Sequence, residues 1–502
     1  MRHQVRIRHL IGAALLVLCG CNMGPKYHPP APPTVAAPNY KESSVNFQDT
    51  EGWKVATPQE AMLKGKWWEI FKDPELNALE EELNINNQNI KEYFQNLMAA
   101  RALVAEAHAQ YWPTVTANPA WTRTKSSGSL TNSTQANTGR TFTSMTAPLD
   151  VAWVPDFFGK IRNLVREYQY GAQVSAADLE QEKLIEQAAL AQYFFEIRGQ
   201  DALQEVLNNL VAADEKTLSL TQALYETGID DYISVVEAKT TLQSAQSAAI
   251  SVGVARAQYE HAIAVLLGKI PSDFKMPVKP LLTAPPPIPV GVPGQLLQRR
   301  PDVAAAERTL AQDNAIIGIG YGAFFPNVTL SAAGGFQSST FANWFTWPSR
   351  FWSIGPSISQ TVFNGGLYRA ELHQYTATYN SHLALYRQTV LVAFEQVEDY
   401  LAAVRIYSQQ IQREREALTS AQEYLNLSTA RYQTGIDPYL NVLTAQNTVF
   451  SDEQTLVTLQ IEQMVSAVSL IEALGGGWDL SQLPTPSQVS QKAPSADYKM
   501  QH

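Results

Sequence analysis

The chain is two copies of one unit. Residues 223–241 read ALYETGIDDYISVVEAKTT and residues 430–448 read ARYQTGIDPYLNVLTAQNT; ten of these 19 positions are identical, with no gap. The same spacing of 207 residues pairs Gly159 with Gly366, Arg162 with Arg369 and Tyr193 with Tyr400. A second echo, YWPTVT at 111–116 against FFPNVT at 324–329, is spaced by 213 residues, and loops of unequal length account for the difference. Such a repeat constrains the fold more than any single motif, because whatever one copy forms the other must also form.

Each unit reads as helix, two strands, long helix, turn, helix. In the first, Asp73-Pro74 opens a helical pattern that runs to about Tyr111, where Pro113 stops it. Residues 114–124 alternate, with Val115, Ala117 and Trp121 on one face and Thr114, Thr116, Asn118 and Thr122 on the other. Residues 144–153 alternate too, with Met145, Ala147, Leu149, Val151 and Trp153 against Ser144, Thr146, Asp150 and Ala152. The second unit repeats the pattern with Val328, Leu330, Ala332 and Phe336, then with Trp352, Ile354, Ile358 and Val362. Alternation with small polar residues on one face is the pattern of a transmembrane β-barrel. A half-buried soluble sheet also alternates, although its inner face is usually more strongly apolar.

The helices are long. No proline interrupts 159–225 or 364–432. Leu383, Tyr386, Val390, Phe394, Val397, Leu401 and Val404 recur in steps of three and four, the spacing of a coiled-coil seam. A second seam runs from Leu443 to Ile471, with Asn447 and Gln454 as polar interruptions that set register or face a lumen. The stretch 364–432 spans 69 residues, about 100 Å as a helix. The helical patterns 293–325 and 438–474 span 33 and 37 residues; in the first unit, 39 and 37 stand against about 67. Two shorter helices laid end to end thus match one long helix, as a cylinder wall requires. No run of 18 apolar residues follows the N-terminal segment, so a membrane crossing would have to be a closed β-barrel. Known barrels need at least eight strands. Three copies would supply twelve strands and a matching twelve-rod cylinder; two would supply eight, and periodicity leaves that number open.

The N-terminus has a positive region (Arg2, Arg6, Arg8), nine apolar residues from Leu10 to Leu18, and then Cys19-Gly20-Cys21. The apolar stretch is too short to span a bilayer and suits a signal peptide. Its end is similar to a bacterial lipobox, which implies cleavage before Cys21 and acylation of that residue; an ordinary secretory signal is the alternative. Asn22 follows, where an Asp would favour retention in the inner membrane. Charged residues make up only 17% of the chain and the net charge is −10, which argues against a nucleic-acid partner. Two cysteines leave no disulfide framework and no cysteine zinc site. The eight histidines form no HExxH or triad-like cluster, and Gly475-Gly476-Gly477 has no P-loop lysine, so neither an enzyme nor a cofactor is expected.

Several motifs carry a family resemblance: Cys21 with GPKYHPP after it, WWEIFKDPELNAL (67–79), LLQRRPDVAAAE (296–307), FFPNVTL (324–330), both TGID turns, and ALGGGW (473–478). The chain resembles TolC-family outer-membrane efflux channels, of the lipoprotein branch that serves resistance-nodulation-division (RND) pumps. The resemblance implies a mainly α fold with a small β part: a homotrimer with a 12-stranded β-barrel, a 12-helix α-barrel and an equatorial belt. It implies a passive exit duct for drugs or other small toxic compounds, anchored in outer-membrane lipid through diacylglycerol and an N-acyl chain on Cys21. A periplasmic adaptor and an inner-membrane RND pump would be its partners. A channel of the same family serving type I protein secretion is the nearest rival. The expected layout is a signal at 1–20, an anchor and equatorial segment at 21–72, repeats at 73–267 and 299–474, a proline-rich linker at 268–298 and a tail at 475–502.

Gly228 and Gly435 fall where each long helix ends, and Asp230 and Asp437 suit the start of the next as caps or dipole partners. That structural reading explains all four residues. The resemblance implies in addition that these turns form the periplasmic tip that meets the adaptor. Family members often carry Leu-Asp-Ala-Gln-Arg after the second turn, where the Asp and Arg help to shut the pore. Here the stretch is Leu443-Thr444-Ala445-Gln446-Asn447, so both charges are absent. Contacts of Thr444 and Asn447, or rings of Asp230, Asp231, Asp437 and Tyr439, are the candidates to replace them; a solvated helix start is the bland reading of the aspartates.

Overall fold

The structure, a computed structural model, describes residues 22–33, 40–42, 65–127, 141–281, 284–289 and 298–491. Cys21, the signal segment and residues 290–297 of the linker lie outside them. The first unit is α1 (Pro74–Asn86), α2 (Gln88–Ala109), β1 (Thr114–Ala117), β2 (Ala120–Lys125), β3 (Thr141–Trp153), α3 (Lys160–Glu226) and α4 (Tyr232–Leu266). The second is α5 (Pro301–Gly322), β4 (Asn327–Ser338), β5 (Arg350–Ser359), α6 (Leu367–Gln433) and α7 (Tyr439–Ala473). The long helices α3 and α6 each have 67 residues, and α4 and α7 each have 35. Both pairs start and end 207 residues apart, so the spacing read from the turns governs the lower half of the molecule. Helices α2 and α5, of 22 residues each, keep the spacing of 213.

Strands and rods follow one order. The sheet is antiparallel, β1 and β2 on β3, β3 on β4, β4 on β5. Below it, α3 packs against α2, α4, α5 and α7, and α6 packs against α5 and α7. Rod by rod the order is α2 with α4, then α3, then α5 with α7, then α6. Each strand thus stands on the rod it is joined to, and among the described residues the only strand pairing between the two units is β3 with β4.

The composite rods have built joints. Asn87 breaks the predicted helix 73–111 in two: its Oδ1 accepts from the Ile90 amide (3.0 Å) and caps α2, while its Nδ2 donates to the carbonyl of Leu266 (3.0 Å), which ends α4. Arg300 is the counterpart, 213 residues on. Its Nη1 donates to the carbonyl of Ala473 (3.0 Å), which ends α7, and Asp302 and Gln396 hold the rest of the guanidinium. A helix C-terminus welcomes such a donor. The Arg300-Pro301-Asp302 motif is therefore a splice between helices. The helix expected from residue 293 is broken at Arg300: residues 298–299 are helical, and α5 begins anew at Pro301, whose ring keeps Arg300 extended at φ −100°, ψ 122°. The single strand expected over 114–124 is interrupted at Asn118-Pro119. The register resumes unchanged, because Pro119 lacks only the ladder donor.

The main core sits where the joints cluster. Trp67, Leu76, Leu83, Leu190, Phe194, Ile197, Leu401 and Met464 are fully buried there, each worth about 1.5–3 kcal/mol of burial. The expected α6 seam lies in this core, with Tyr386, Val390, Val397, Leu401 and Val404 buried. The lower α7 seam runs instead through Tyr439, Val442 and Gln446, and Asn447 is exposed. Helix α7 is apolar enough by composition to cross a membrane, yet 61% of its most apolar window is buried against its neighbours. Around the core runs an extended belt. Arg198 donates to the carbonyl of Pro277 (3.0 Å), Arg256 to that of Met276 (3.1 Å), and Asp201 accepts from the Lys279 amide (2.7 Å). Buried charged side chains thus satisfy backbone groups that have no sheet partner.

The β3–β4 contact is tight. A Cβ on Gly335 would lie 2.2 Å from the carbonyl oxygen of Ala147 and 2.9 Å from Cα of Pro148. Gly335→Val is expected to force the two units apart at the sheet, at a cost of more than about 3 kcal/mol. Loss of the folded, heat-modifiable band on semi-native gels would report it.

Candidate functional site: the barrel wall and the hairpin tips

Register sorts the sheet into two faces. Val115 pairs with Val151, Trp121 with Met145, Leu149 with Gly334, Trp153 with Leu330, Ala332 with Ile354, Gly334 with Trp352 and Val328 with Ile358. Directly paired residues share a face, so the apolar sets predicted from the sequence lie on one side, except Val362, which falls beyond the end of β5. Thr116, Thr122, Ser144, Thr146, Thr329, Ser331, Ser353 and Ser357 lie on the other, with Asp150. Trp121, Leu149, Trp352, Ile354 and Ile358 are more than half exposed. Met145 to Trp153 rises about 27 Å along the strand, or about 20 Å once tilted, close to the apolar band of a bilayer-spanning barrel.

Both outer edges are open. No strand pairs with the free side of β1 and β2 or of β5 among the described residues. The rods beneath those edges carry most of the exposed large apolar side chains on the helices. These include Phe94, Leu103, Ile250 and Val254 on α2 and α4, and Leu385, Leu391, Ile406 and Leu427 on α6.

At the far end the two hairpins turn alike. Gly228 (φ 75°) and Gly435 (φ 71°) hold the left-handed conformation that ends each long helix. The amides of Ile229 and Ile436 donate back to the carbonyls of Leu224 (2.9 Å) and Arg431 (3.0 Å). The two isoleucines project outward, 65% and 64% exposed. The aspartates then part company. Asp231, rather than Asp230, caps α4 by accepting from the Ser234 amide (3.2 Å). Asp230 instead accepts from the Tyr432 hydroxyl on α6 (2.6 Å), from the Ser234 hydroxyl (2.9 Å) and from the Asp231 amide (2.8 Å). Partial burial pushes its carboxyl up, but those three donors outweigh burial and hold it below the usual carboxylate value. Asp437 makes no cap, since Pro438 takes that position without a side-chain bond. It forms a two-pronged pair with Arg431 (2.5 and 3.1 Å), whose hydrogen bond lowers its pKa.

Tyr439, a predicted gate residue, is only 3% exposed. It packs on Tyr432, Ala238 and Val442 inside the bundle instead of facing a pore. Thr444 and Asn447 lie one turn apart on the exposed face of α7, and the Thr444 hydroxyl donates to the carbonyl of Leu440 (2.8 Å). Sequence reasoning missed Tyr432 and Arg431, although both stand beside the second TGID turn. It also missed Asp214 on α3, which is 1% exposed with neither carboxyl oxygen hydrogen-bonded. Burial alone pushes Asp214 up to about 6. On α7, Oε1 of Gln446 is also buried and unsatisfied, while its Nε2 donates to Thr217 of α3 (3.0 Å).

A sheet with one apolar and one hydroxyl face, standing on long rods, is a duct in pieces. The family model described as "Outer membrane efflux protein" matches residues 79–269 and 292–476. The chain belongs to the outer membrane efflux protein family. It is 32% identical to the solvent efflux pump outer membrane protein SrpC of Pseudomonas putida, over 93% of this chain and 98% of that one. It is 29% identical to the antibiotic efflux pump outer membrane protein ArpC of the same species, over 93% and 95%. The solved outer-membrane channel OprN superposes with a TM-score of 0.83 at 27% identity, covering 91% of this chain and all of that one. The fold is thus TolC-like, and this member of the family is an outer-membrane channel of an RND-type efflux system, a duct and not an enzyme. Its sheet spans the outer membrane and its helices reach into the periplasm, as one part of a tripartite assembly.

The buried carboxyl has a sign. Asp214 binds its proton more tightly in the packed bundle than in an unfolded chain, where a pKa near 3.8 holds. Packing at this level is therefore firmest below about pH 4 and weakens as pH rises through about 6, by up to about 3 kcal/mol. Amide protection factors in α3 and α7 near the tips, with the intrinsic base-catalysed rate divided out at each pH, are expected to be lower at pH 8 than at pH 5. Asp214→Asn should flatten that difference.

Proposed function

We propose that three copies of the chain close into one duct, with β5 and α6 of each copy meeting β1, β2, α2 and α4 of the next. The observation that carries this reading is the open edge on both sides of sheet and rods. Unpaired strand edges are not tolerated in hydrocarbon, and head-to-tail contacts close only as a ring. Three copies give a twelve-stranded wall. The hairpin tips, with Gly228, Ile229, Gly435 and Ile436 at their ends, are the surface for a periplasmic adaptor, and an inner-membrane RND pump supplies the energy.

At rest the tips are held together. The Tyr432–Asp230 hydrogen bond joins a helix of the second repeat to the turn of the first, and the Arg431–Asp437 pair braces the second turn. With Thr444 and Asn447 where relatives of this branch often carry charges, these contacts take over much of the holding. Engagement of the adaptor breaks them and lets the tips part.

Cys21 is acylated in this reading, with diacylglycerol on its sulfur and an acyl group on its amine. Support comes from the residues that follow it. Asn22 accepts from Asn163 (3.0 Å), and the Met23 amide donates to the carbonyl of Phe158 (3.4 Å), at the foot of the sheet where Phe158 stacks on Phe325. That is the level at which acyl chains would enter the inner leaflet. The cargo is a small apolar or amphipathic toxicant, in keeping with the solvent and antibiotic pumps that the relatives serve; the pump, not the duct, selects it.

Single-channel recording on the purified protein, after its mass is measured, tests the whole reading. A trimer with small, flickering conductance is expected, and Tyr432→Phe should raise mean conductance severalfold by cutting the link between Asp230 and α6. A monomer without conductance would falsify it.

A further inference from the structure

The charge of the barrel is one-sided. From residue 114 to 149 and from 324 to 366 the chain contains no Asp or Glu, although its net charge is −10. The same stretches contain Arg123, Lys125, Arg140 and Arg350. Arg140 lies outside the described residues. The other three stand at the end of the sheet farthest from the helices, which is the external end. Register decides which way they point. Arg123 pairs with Thr143, two residues from the Trp121–Met145 pair, and Lys125 pairs with Thr141, so both share the apolar, lipid-facing side. Arg350 pairs with Phe336 on that same side. These cations therefore border the lipid, just above the apolar band, and not the lumen.

Arg350 sits in an aromatic setting. Its guanidinium lies 3.6 Å over the ring of Trp347, which is 72% exposed. Phe345 packs on Phe336 (5.7 Å between centroids) and stacks on Trp344 (4.8 Å). The β4–β5 loop is thus drawn onto the outward face. A cation held on an indole at the membrane boundary cannot be neutralised by a carboxylate of these strands, since they offer none on that face. Aromatic side chains belong at such a boundary, but cations at both edges of the sheet with no carboxylate on their face call for fixed anions in the lipid.

We propose that Arg123 with Lys125 on β2, and Arg350 at the opposite edge of the sheet on β5, are contact points for the phosphate groups of the phosphorylated glycolipid of the outer leaflet. The charge-assisted bonds are of the fork-to-phosphate kind that guanidinium favours. Trp347 keeps the Arg350 plane fixed, and the neighbouring aromatic rings lie against the first carbons of the acyl chains.

The purified acylated protein would be placed in phosphatidylcholine nanodiscs doped with bis-phosphorylated lipid A, with enzymatically dephosphorylated lipid A, or with phosphatidylglycerol. Native mass spectrometry would count the retained lipid. Retention of bis-phosphorylated lipid A at least tenfold above the other two is expected. The triple variant Arg123→Gln, Lys125→Gln, Arg350→Gln should remove that excess, while Arg413→Gln on the periplasmic helix α6 should not. Equal retention of phosphorylated and dephosphorylated lipid A by the unaltered protein overturns the proposal, and does so even if the triple variant fails to fold. Equal retention of phosphatidylglycerol also overturns it, by reducing the contacts to attraction for any anionic lipid.

Discussion

A β-sheet in hydrocarbon cannot leave a strand edge bare, because each unpaired amide or carbonyl there costs several kcal/mol. The rest of this molecule is arranged around that constraint. One chain supplies four strand positions and, among the described residues, two open edges, which a copy by itself would leave bare in the membrane. The strand order then dictates the rod order below it, since every strand is continuous with its own helix. Two of the rods are single helices of 67 residues, and the other two are spliced from a helix of 22 and a helix of 35. Splicing is unavoidable: a chain that must return from the tip and also enter the sheet cannot do both within one continuous helix.

The splices show how duplicated units diverge without losing their shape. Asn87 and Arg300 stand at equivalent places and do the same thing, which is to offer a donor to the last carbonyl of the helix that ends there. One uses a neutral amide that also caps the next helix. The other uses a buried guanidinium that needs Asp302 and Gln396 to complete its bonds. The geometry has been kept while the chemistry has drifted.

Much of this was legible in the sequence, and the failures are instructive. Period-two alternation and register agree because a one-residue slip would exchange the lipid and lumen faces of a whole strand. The repeat spacing located both turns and all four lower helix ends. Breaks inside regular patterns were harder. Asn87 keeps helical periodicity on both sides, so nothing local announces the joint; only its bond to Leu266, 179 residues away, explains it. At the tips the spacing of the two TGID copies hid a difference. Asp231 caps a helix where Pro438 stands in the other copy, so Asp230 and Asp437 are released to different partners, Tyr432 and Arg431. Long-range side-chain pairing of that kind leaves no periodic trace.

The hydroxyl face of the sheet bears on time more than on passage. Every 1.4 kcal/mol of attraction between wall and cargo lengthens a molecule's stay about tenfold. Serine and threonine, already hydrated in a watery bore, offer a departing solute little that water does not, and Asp150 is the one charge on that face of the strands. A wall that holds nothing sets no dwell time of its own. The rate of export is then left to the pump at the other end, and chemically different cargoes can leave through the same opening without waiting for one another.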